Sequence, residues 1–193
     1  MESNLAYQEE QREEIIGGKV VMMSAPSLKH IFISGNIYRI FSDYLNGKEC
    51  TPIPDGAALF LEENAEEYQP DGMVVCDPEK LGPDGVHGAP DLVLEILSPS
   101  TSRYDRSHKK DVYEKHGVRE YWIVSPAERS IEQYVLENGS FVLRDVYQQY
   151  PDFMLKRMKE EEKAALVTEF QSAVFDGLTV RLDDVFYRVT PGV

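Results

Sequence analysis

The run LVLEIL, residues 92–97, constrains the fold of this chain more than any other segment. It is apolar, short and bounded by Pro90 and by Ser98-Pro99, which reads as a strand covered on both faces. Glu95 stands in its middle. An ionised carboxylate without a partner there costs several kcal/mol, so the fold must bring a cation or a metal to that point.

The remaining pattern places this strand in an α/β chain. With 193 residues, 42% of them hydrophobic, there is enough apolar surface for one ordinary domain with its own core. Residues 1–14 are polar and acidic and read as a frayed or helical lead-in. Lys19–Met23, after Gly17-Gly18, reads as a strand. Ile33, Ile37, Ile40, Phe41, Tyr44 and Leu45 recur at helical spacing, with Ser27 as N-cap and Gly47 as stop. Residues 50–63 and 70–78 carry two further strand-like runs, and a Pro/Gly-rich loop over 78–90 leads to the central strand. Residues 98–117 read as one helix ending at Gly117, with Val112, Tyr113 and His116 turned partly inward. Residues 119–126, 130–136 and 140–147 read as three antiparallel strands, the last two joined at Asn138-Gly139. A short charged helix over 151–170 and the segment 174–186 complete the chain. With no repeat and no Ser/Gly linker, the expected architecture is a single domain, 1–193, with a mixed sheet flanked by helices.

Composition narrows the function. No apolar run approaches the roughly 20 residues of a membrane helix, so no membrane partner is expected. Cys50 and Cys76 are too few for a disulfide framework, and a cytoplasmic setting is the default. The formal charge of −14, from 34 acidic and 20 basic residues, opposes non-specific binding to nucleic acid. The bases are unevenly spread, however: Arg103, Arg106, His108, Lys109, Lys110 and Lys115 lie close together, and a local patch can persist on an acidic surface.

Two Pro-Asp pairs, Pro70-Asp71 and Pro90-Asp91, compete as companions of Glu95. Asp91 and Glu95 share a strand four residues apart, about 13 Å along it, too far to hold one ion. Asp71 opens a separate strand-like run, and the intervening loop allows the two strands to lie side by side, about 4.8 Å apart. Carboxylates on neighbouring strands suit a hard cation such as Mg²⁺, which would offset the buried charge and supply a nucleophilic hydroxide for attack on a phosphodiester.

These residues resemble the Pro-Asp…(Asp/Glu)-x-Lys site of the PD-(D/E)XK nuclease superfamily, with Leu97 at the usual lysine position. The stretch from QPDGMVVCDP through EYWIVSP, the start REEIIGGKVVMMSAPSLKH and the end VFDGLTVRLDDVF are similar to the Uma-type restriction endonuclease family. The resemblance implies a restriction-endonuclease-like mixed sheet flanked by helices. It implies Asp71 and Glu95 as metal ligands for Mg²⁺ (or Mn²⁺), with the Leu97 carbonyl as third ligand. Asp105, Arg106, Lys109 and Tyr113 match the family's Asp-Arg-x-x-Lys-x-x-x-Tyr pattern, which makes Lys109 the relocated catalytic lysine and Lys110 its fallback. Glu14 and His30 match family positions in the N-terminal segment. A metal-dependent DNA endonuclease, acting as a homodimer whose two-fold mirrors the duplex, is the implied function.

Plainer roles compete with these. Pro-Asp-Gly at 70–72 is also a turn signal, and Glu95 could serve only as a buried ion-pair partner of Arg103, Arg106 or Lys109. Asp91 reads as a residue that caps backbone at the strand start. His87, His108 and His116 have no zinc spacing with either cysteine, and Tyr121 and Trp122 read as sheet core. The broken lysine position and the acidic charge fit a second function, a catalytically inactive nuclease-fold protein that binds or regulates through a partner.

Overall fold

The computed structural model of this protein describes residues 12–63 and 65–189. Strands β1 (Glu13–Ile16) and β2 (Lys19–Met22) form a hairpin that leads to helix α1 (Leu28–Leu45). Next come β3 (Thr51–Pro54), β4 (Ala58–Glu62), β5 (Glu66–Tyr68), β6 (Gly72–Val75), β7 (Gly85–His87) and β8 (Leu92–Ile96). Helices α2 (Ser102–Asp105) and α3 (His108–His116) precede β9 (Glu120–Ser125), β10 (Ser130–Glu137) and β11 (Ser140–Gln148). The last elements are α4 (Asp152–Leu155), α5 (Glu160–Ala164), β12 (Glu169–Gln171), β13 (Thr179–Arg181) and α6 (Leu182–Val185).

The strands make a six-stranded sheet in the order β11-β10-β9-β8-β6-β3, a five-stranded sheet in the order β2-β1-β5-β4-β7, and the pair β12-β13. The larger sheet is mixed: β8 and β9 run parallel, and its other neighbours are antiparallel. This is the expected α/β architecture.

Strand periodicity explains why β8 is apolar on both sides. Leu92, Leu94 and Ile96 join one core cluster with Ile33, Ile37, Phe41 and Leu45 of α1 and with Trp122, Val124 and Phe170. Val93 joins a second cluster with Tyr113, Val118, Tyr121 and Ile123, and with Ile16, Leu59, Tyr68 and Val86 of the smaller sheet. Glu95 shares the parity of Val93 and therefore belongs to the side of α3 and the smaller sheet. Helix α1 starts as expected, the Ser27 hydroxyl accepting from the His30 amide at 3.3 Å, and ends before Gly47, whose φ of +77° a residue with a Cβ rarely adopts. The β10–β11 turn is Asn138-Gly139, both at positive φ.

Several local expectations change. Residues 1–11 of the lead-in lie outside the described residues, and Glu13 and Glu14 are in a strand, not a helix. The helix expected over 98–117 is two, because Ser107 (φ −128°, ψ −94°) leaves helical space between α2 and α3. The charged segment 151–170 likewise divides into α4, α5 and the first residues of β12. Cys50 and Cys76 flank the register pair Thr51↔Val75 and so face each other across β3 and β6, where they form a disulfide. One bridge ties the edge strand to its neighbour, although two cysteines supply no framework. Among the described residues no helix is long and apolar enough to cross a membrane.

A second buried carboxylate shows how burial is satisfied without a cation. Glu120 is fully buried at the start of β9, and its Oε1 accepts from Trp122 Nε1 at 2.7 Å and Gln133 Nε2 at 2.6 Å. Its Oε2 accepts from the Ser172 hydroxyl at 2.6 Å and from the amides of Ala173 and Val174 at 3.0 and 3.1 Å. The three bonds to residues 172–174 fasten the C-terminal segment to the central sheet. In either orientation Glu120→Gln would turn an amide NH₂ toward two N–H groups that can only donate. Urea unfolding should show a loss of about 2–4 kcal/mol, against less than about 0.5 kcal/mol for Glu161→Gln on the exposed α5.

Candidate active site

Sheet register brings three acidic residues to one end of three neighbouring strands. Pro54 pairs with Gly72 across β3 and β6, and Gly72 pairs with Leu94 across β6 and β8. One step further along each strand stand Asp55, Asp71 and Glu95. The adjacency expected for Asp71 and Glu95 thus follows from antiparallel pairing of β6 with β8. Asp91, at the other end of β8, accepts from the Cys76 amide at 2.8 Å and from Arg119 at 3.0 Å, the backbone-capping role expected of it.

Asp71 does more than turn the chain. Its Oδ2 accepts from the Ile96 amide at 2.6 Å, its Oδ1 lies 2.7 Å from His30 Nε2, and its carbonyl accepts from the Ser34 hydroxyl at 3.1 Å. The carboxylate is therefore held between α1 and the end of β8. Gly72 permits this approach, since a Cβ there would lie 2.9 Å from Leu94 Cδ2. Burial works against a charge on His30, but the Asp71 hydrogen bond and charge outweigh it and raise its pKa above the ordinary value. A cavity of about 670 Å³ opens here, lined by Arg12, Lys29, His30, Asp71, Leu97 and Thr101 among others.

Behind the cavity lies a closed cluster around Lys109. Its side chain is 1% exposed, and its Nζ lies 2.8 Å from Glu14 Oε1, 3.1 Å from Glu95 Oε1 and 3.5 Å from Asp105 Oδ1. The Tyr113 hydroxyl also donates to Glu95 Oε1, at 2.7 Å. Glu14 Oε1 accepts in addition from the Gln69 amide at 3.0 Å, which links the cluster to the cavity wall.

Three carboxyl groups here face one ammonium. Burial pushes the Glu95 carboxyl well above the usual range, against the pull of Lys109. Burial likewise lifts Asp105 to about 6, again with Lys109 opposing. For Lys109 itself, burial favours loss of the proton, but Glu95, Glu14 and Asp105 together hold its pKa above the ordinary value. Glu14 Oε2 and both Asp105 carboxylate oxygens are buried with no hydrogen-bond partner among the described residues.

The site residues expected from the sequence thus divide into two groups. Asp71, His30 and Leu97 face the cavity, while Glu95, Lys109 and Glu14 form the cluster behind it. Leu97 donates its amide to the Val124 carbonyl at 2.8 Å. Lys110 is turned to the Tyr134 ring, 5.2 Å from its centroid. The basic run does not gather into a patch: Arg106 pairs with Glu132, His108 with Glu66 and Lys115 with Glu62. The basic side chains beside the cavity are instead Lys29, Arg12, which pairs with Asp55, and His30, which is bonded to Asp71. Asp55 and Arg12 were not among the expected site residues, and Arg12 Nη2 pairs with Asp55 Oδ1 at 2.7 Å. The signal for Asp55 is Pro54-Asp55-Gly56, the same tripeptide as Pro70-Asp71-Gly72.

The donor set fits a hard divalent cation. Asp71 and Asp55 offer carboxylate oxygens beside His30, and the buried carboxylate oxygens without hydrogen-bond partners lie behind them, on Glu14 and Asp105. Among the described residues, ligand atoms of His30, Asp55 and Asp71 lie within 4.8 Å of one another.

Comparison with known proteins assigns the chain to a family. Residues 2–161 match the family described as "Uma2: Putative restriction endonuclease". "Uncharacterized protein slr1290" of Synechocystis sp. is 33% identical over 137 residues, 69% of this chain and 72% of the relative. "Uncharacterized protein sll1609" of the same organism is 22% identical over 127 residues, 64% of this chain and 72% of that one. The crystal structure of a "putative nuclease belonging to DUF820" from Anabaena variabilis superposes with a TM-score of 0.69. It covers 94% of this chain and 93% of its own at 20% identity, a likeness of fold.

The Lys109 cluster predicts a pH dependence of stability. A carboxyl whose folded pKa lies near 6, against 3.8 for the free group, binds more protons folded than unfolded, so its contribution is present below about pH 4 and lost as pH rises through 6. Asp105→Asn lacks this titration. The stability of wild type relative to Asp105→Asn, from urea unfolding at pH 4 to 7, should fall across that window.

Proposed function

Because the chain belongs to the Uma2 family of restriction-endonuclease-like proteins, we propose that it is a metal-dependent endonuclease hydrolysing phosphodiester bonds in DNA. Residues 1–193 are read as one nuclease-like domain. The observation that carries this reading is the placement of Asp71 and Glu95 at adjacent strand ends, with Asp71 open to a cavity and Glu95 backed by a buried lysine. Asp71 and Glu95, with the Leu97 carbonyl, would hold Mg²⁺ or Mn²⁺. Such a cation supplies Lewis acidity at the phosphoryl oxygen and a water acidic enough to act as nucleophile.

The chain's own residues divide the remaining work. The Ile96 amide and His30 hold the two oxygens of Asp71 at the cavity, which fixes where this carboxylate would meet the ion. Lys109 is too enclosed to touch a phosphate and acts through Glu95, as a positioning residue. Of the described basic side chains lining the cavity, Arg12 pairs with Asp55 and His30 with Asp71, so Lys29 is the one left to meet a phosphate, which suits a single strand better than a long duplex footprint. A homodimer in the cytoplasm would present two such sites to the two strands of DNA.

A second reading, an inactive binding protein of the same fold, draws on Leu97 at the lysine position and on the burial of Lys109. Plasmid nicking separates the two. With Mg²⁺ or Mn²⁺, wild type should convert supercoiled DNA to open circles, and Asp71→Asn and Glu95→Gln should each lower the rate at least about 100-fold. Wild type that binds plasmid but does not nick it in either metal would favour the inactive protein.

A further inference from the structure

Two side chains outside the nuclease pattern's acid pair stand beside Asp71. His30 comes from the first turn of α1, Asp55 from the end of β3, and Asp71 from the start of β6; each offers a ligand atom within 4.8 Å of the others. Donors about 2.1 Å from a common octahedral ion are separated by about 3–4.2 Å, so sub-ångström adjustments bring these three into one shell. His30 and Asp71 have side chains 12% exposed, and Asp55 20%. Glu95 differs, its Oε1 engaged by Lys109 and Tyr113.

Without a cation the same geometry needs a substitute charge, and Arg12 provides it. Its guanidinium meets both Asp55 oxygens, at 2.7 and 3.2 Å, while remaining partly exposed. His30 bonded to Asp71 completes a set in which two carboxylates are balanced by two groups that can each be displaced from their partner.

We infer that His30 and Asp55 are ligands of the divalent cation at Asp71, forming a mixed nitrogen and oxygen site suited to a first-row transition ion in preference to Mg²⁺. This rests on the metal-dependent reading above and specifies its cation. An imidazole nitrogen favours the later first-row ions such as Fe²⁺, Ni²⁺ and Zn²⁺, whereas Mg²⁺ takes oxygen ligands and retains its waters; Mn²⁺ is a paramagnetic member of the row that reports a bound nitrogen. Asp55 and Asp71 at the strand ends and His30 from α1 then surround the ion, with Glu95 and its lysine on the inner side.

Mn²⁺ itself is the probe, titrated into the full-length protein without DNA and followed by electron paramagnetic resonance. Bound Mn²⁺ should show imidazole ¹⁴N coupling in pulsed spectra. His30→Ala should abolish the coupling, and His30→Ala and Asp55→Asn should each weaken binding about tenfold or more. Near-ultraviolet circular dichroism of the Trp122 core verifies that each variant is folded. Mn²⁺ bound without nitrogen coupling, unchanged in both variants but lost in Asp71→Asn, would overturn the ligand set and leave the nuclease reading standing. No Mn²⁺ binding by wild type would remove both.

Discussion

One buried ammonium holds the structure together where its layers meet. Lys109 reaches from α3 to Glu14 on β1 of the smaller sheet, to Glu95 on β8 of the larger sheet, and to Asp105 at the end of α2. Loss of one partner from a buried ion pair costs about 3–5 kcal/mol, because the remaining charge stays behind without solvent. Here the imbalance is greater, since one cation serves three carboxyl groups. The apolar packing around the cluster comes from Tyr113, Tyr121 and Tyr68, whose ring lies 5.4 Å from Lys109 Nζ.

This arrangement explains why a glutamate is tolerated in the most apolar strand of the chain. The same strand that buries Leu92, Leu94 and Ile96 against α1 turns Glu95 toward α3, and the pleat carries the difference. At that strand end, Asp71 binds the Ile96 amide and so lies across the tip of β8. A fixed carboxylate at the cavity and a charge-deficient cluster behind it form one site with an open side and a closed side. Family membership makes a nuclease the natural use of such a site.

Much of this was legible in residues 70–113. An apolar run interrupted by an acid demands a counter-charge, and Lys109 supplies it. The Asp71–Glu95 adjacency followed from strand spacing, because Asp91 lies four residues along the same strand. The break at Ser107 was not legible, since it depends on a backbone conformation that the side-chain pattern of 98–117 does not record. Asp55 also escaped notice: its place beside Asp71 depends on β3 joining the sheet edge, a pairing of Thr51–Pro54 with Gly72–Val75 that local periodicity cannot specify. The basic run looked like a patch because spacing alone cannot show that Arg106, His108 and Lys115 each meet an acid on another element.

The central claim is that Lys109 couples the two sheets by holding Glu95 of the larger and Glu14 of the smaller, and its contact with Glu95 is the half that reaches the central strand. A double-mutant cycle with Lys109→Met, Glu95→Gln and both together, read by urea unfolding at pH 7, tests it most directly. The account predicts a loss of about 3–5 kcal/mol for Lys109→Met, with the double variant more stable than the sum of the single losses implies by at least about 1 kcal/mol. Additive losses, or a Lys109→Met protein as stable as wild type, would contradict it.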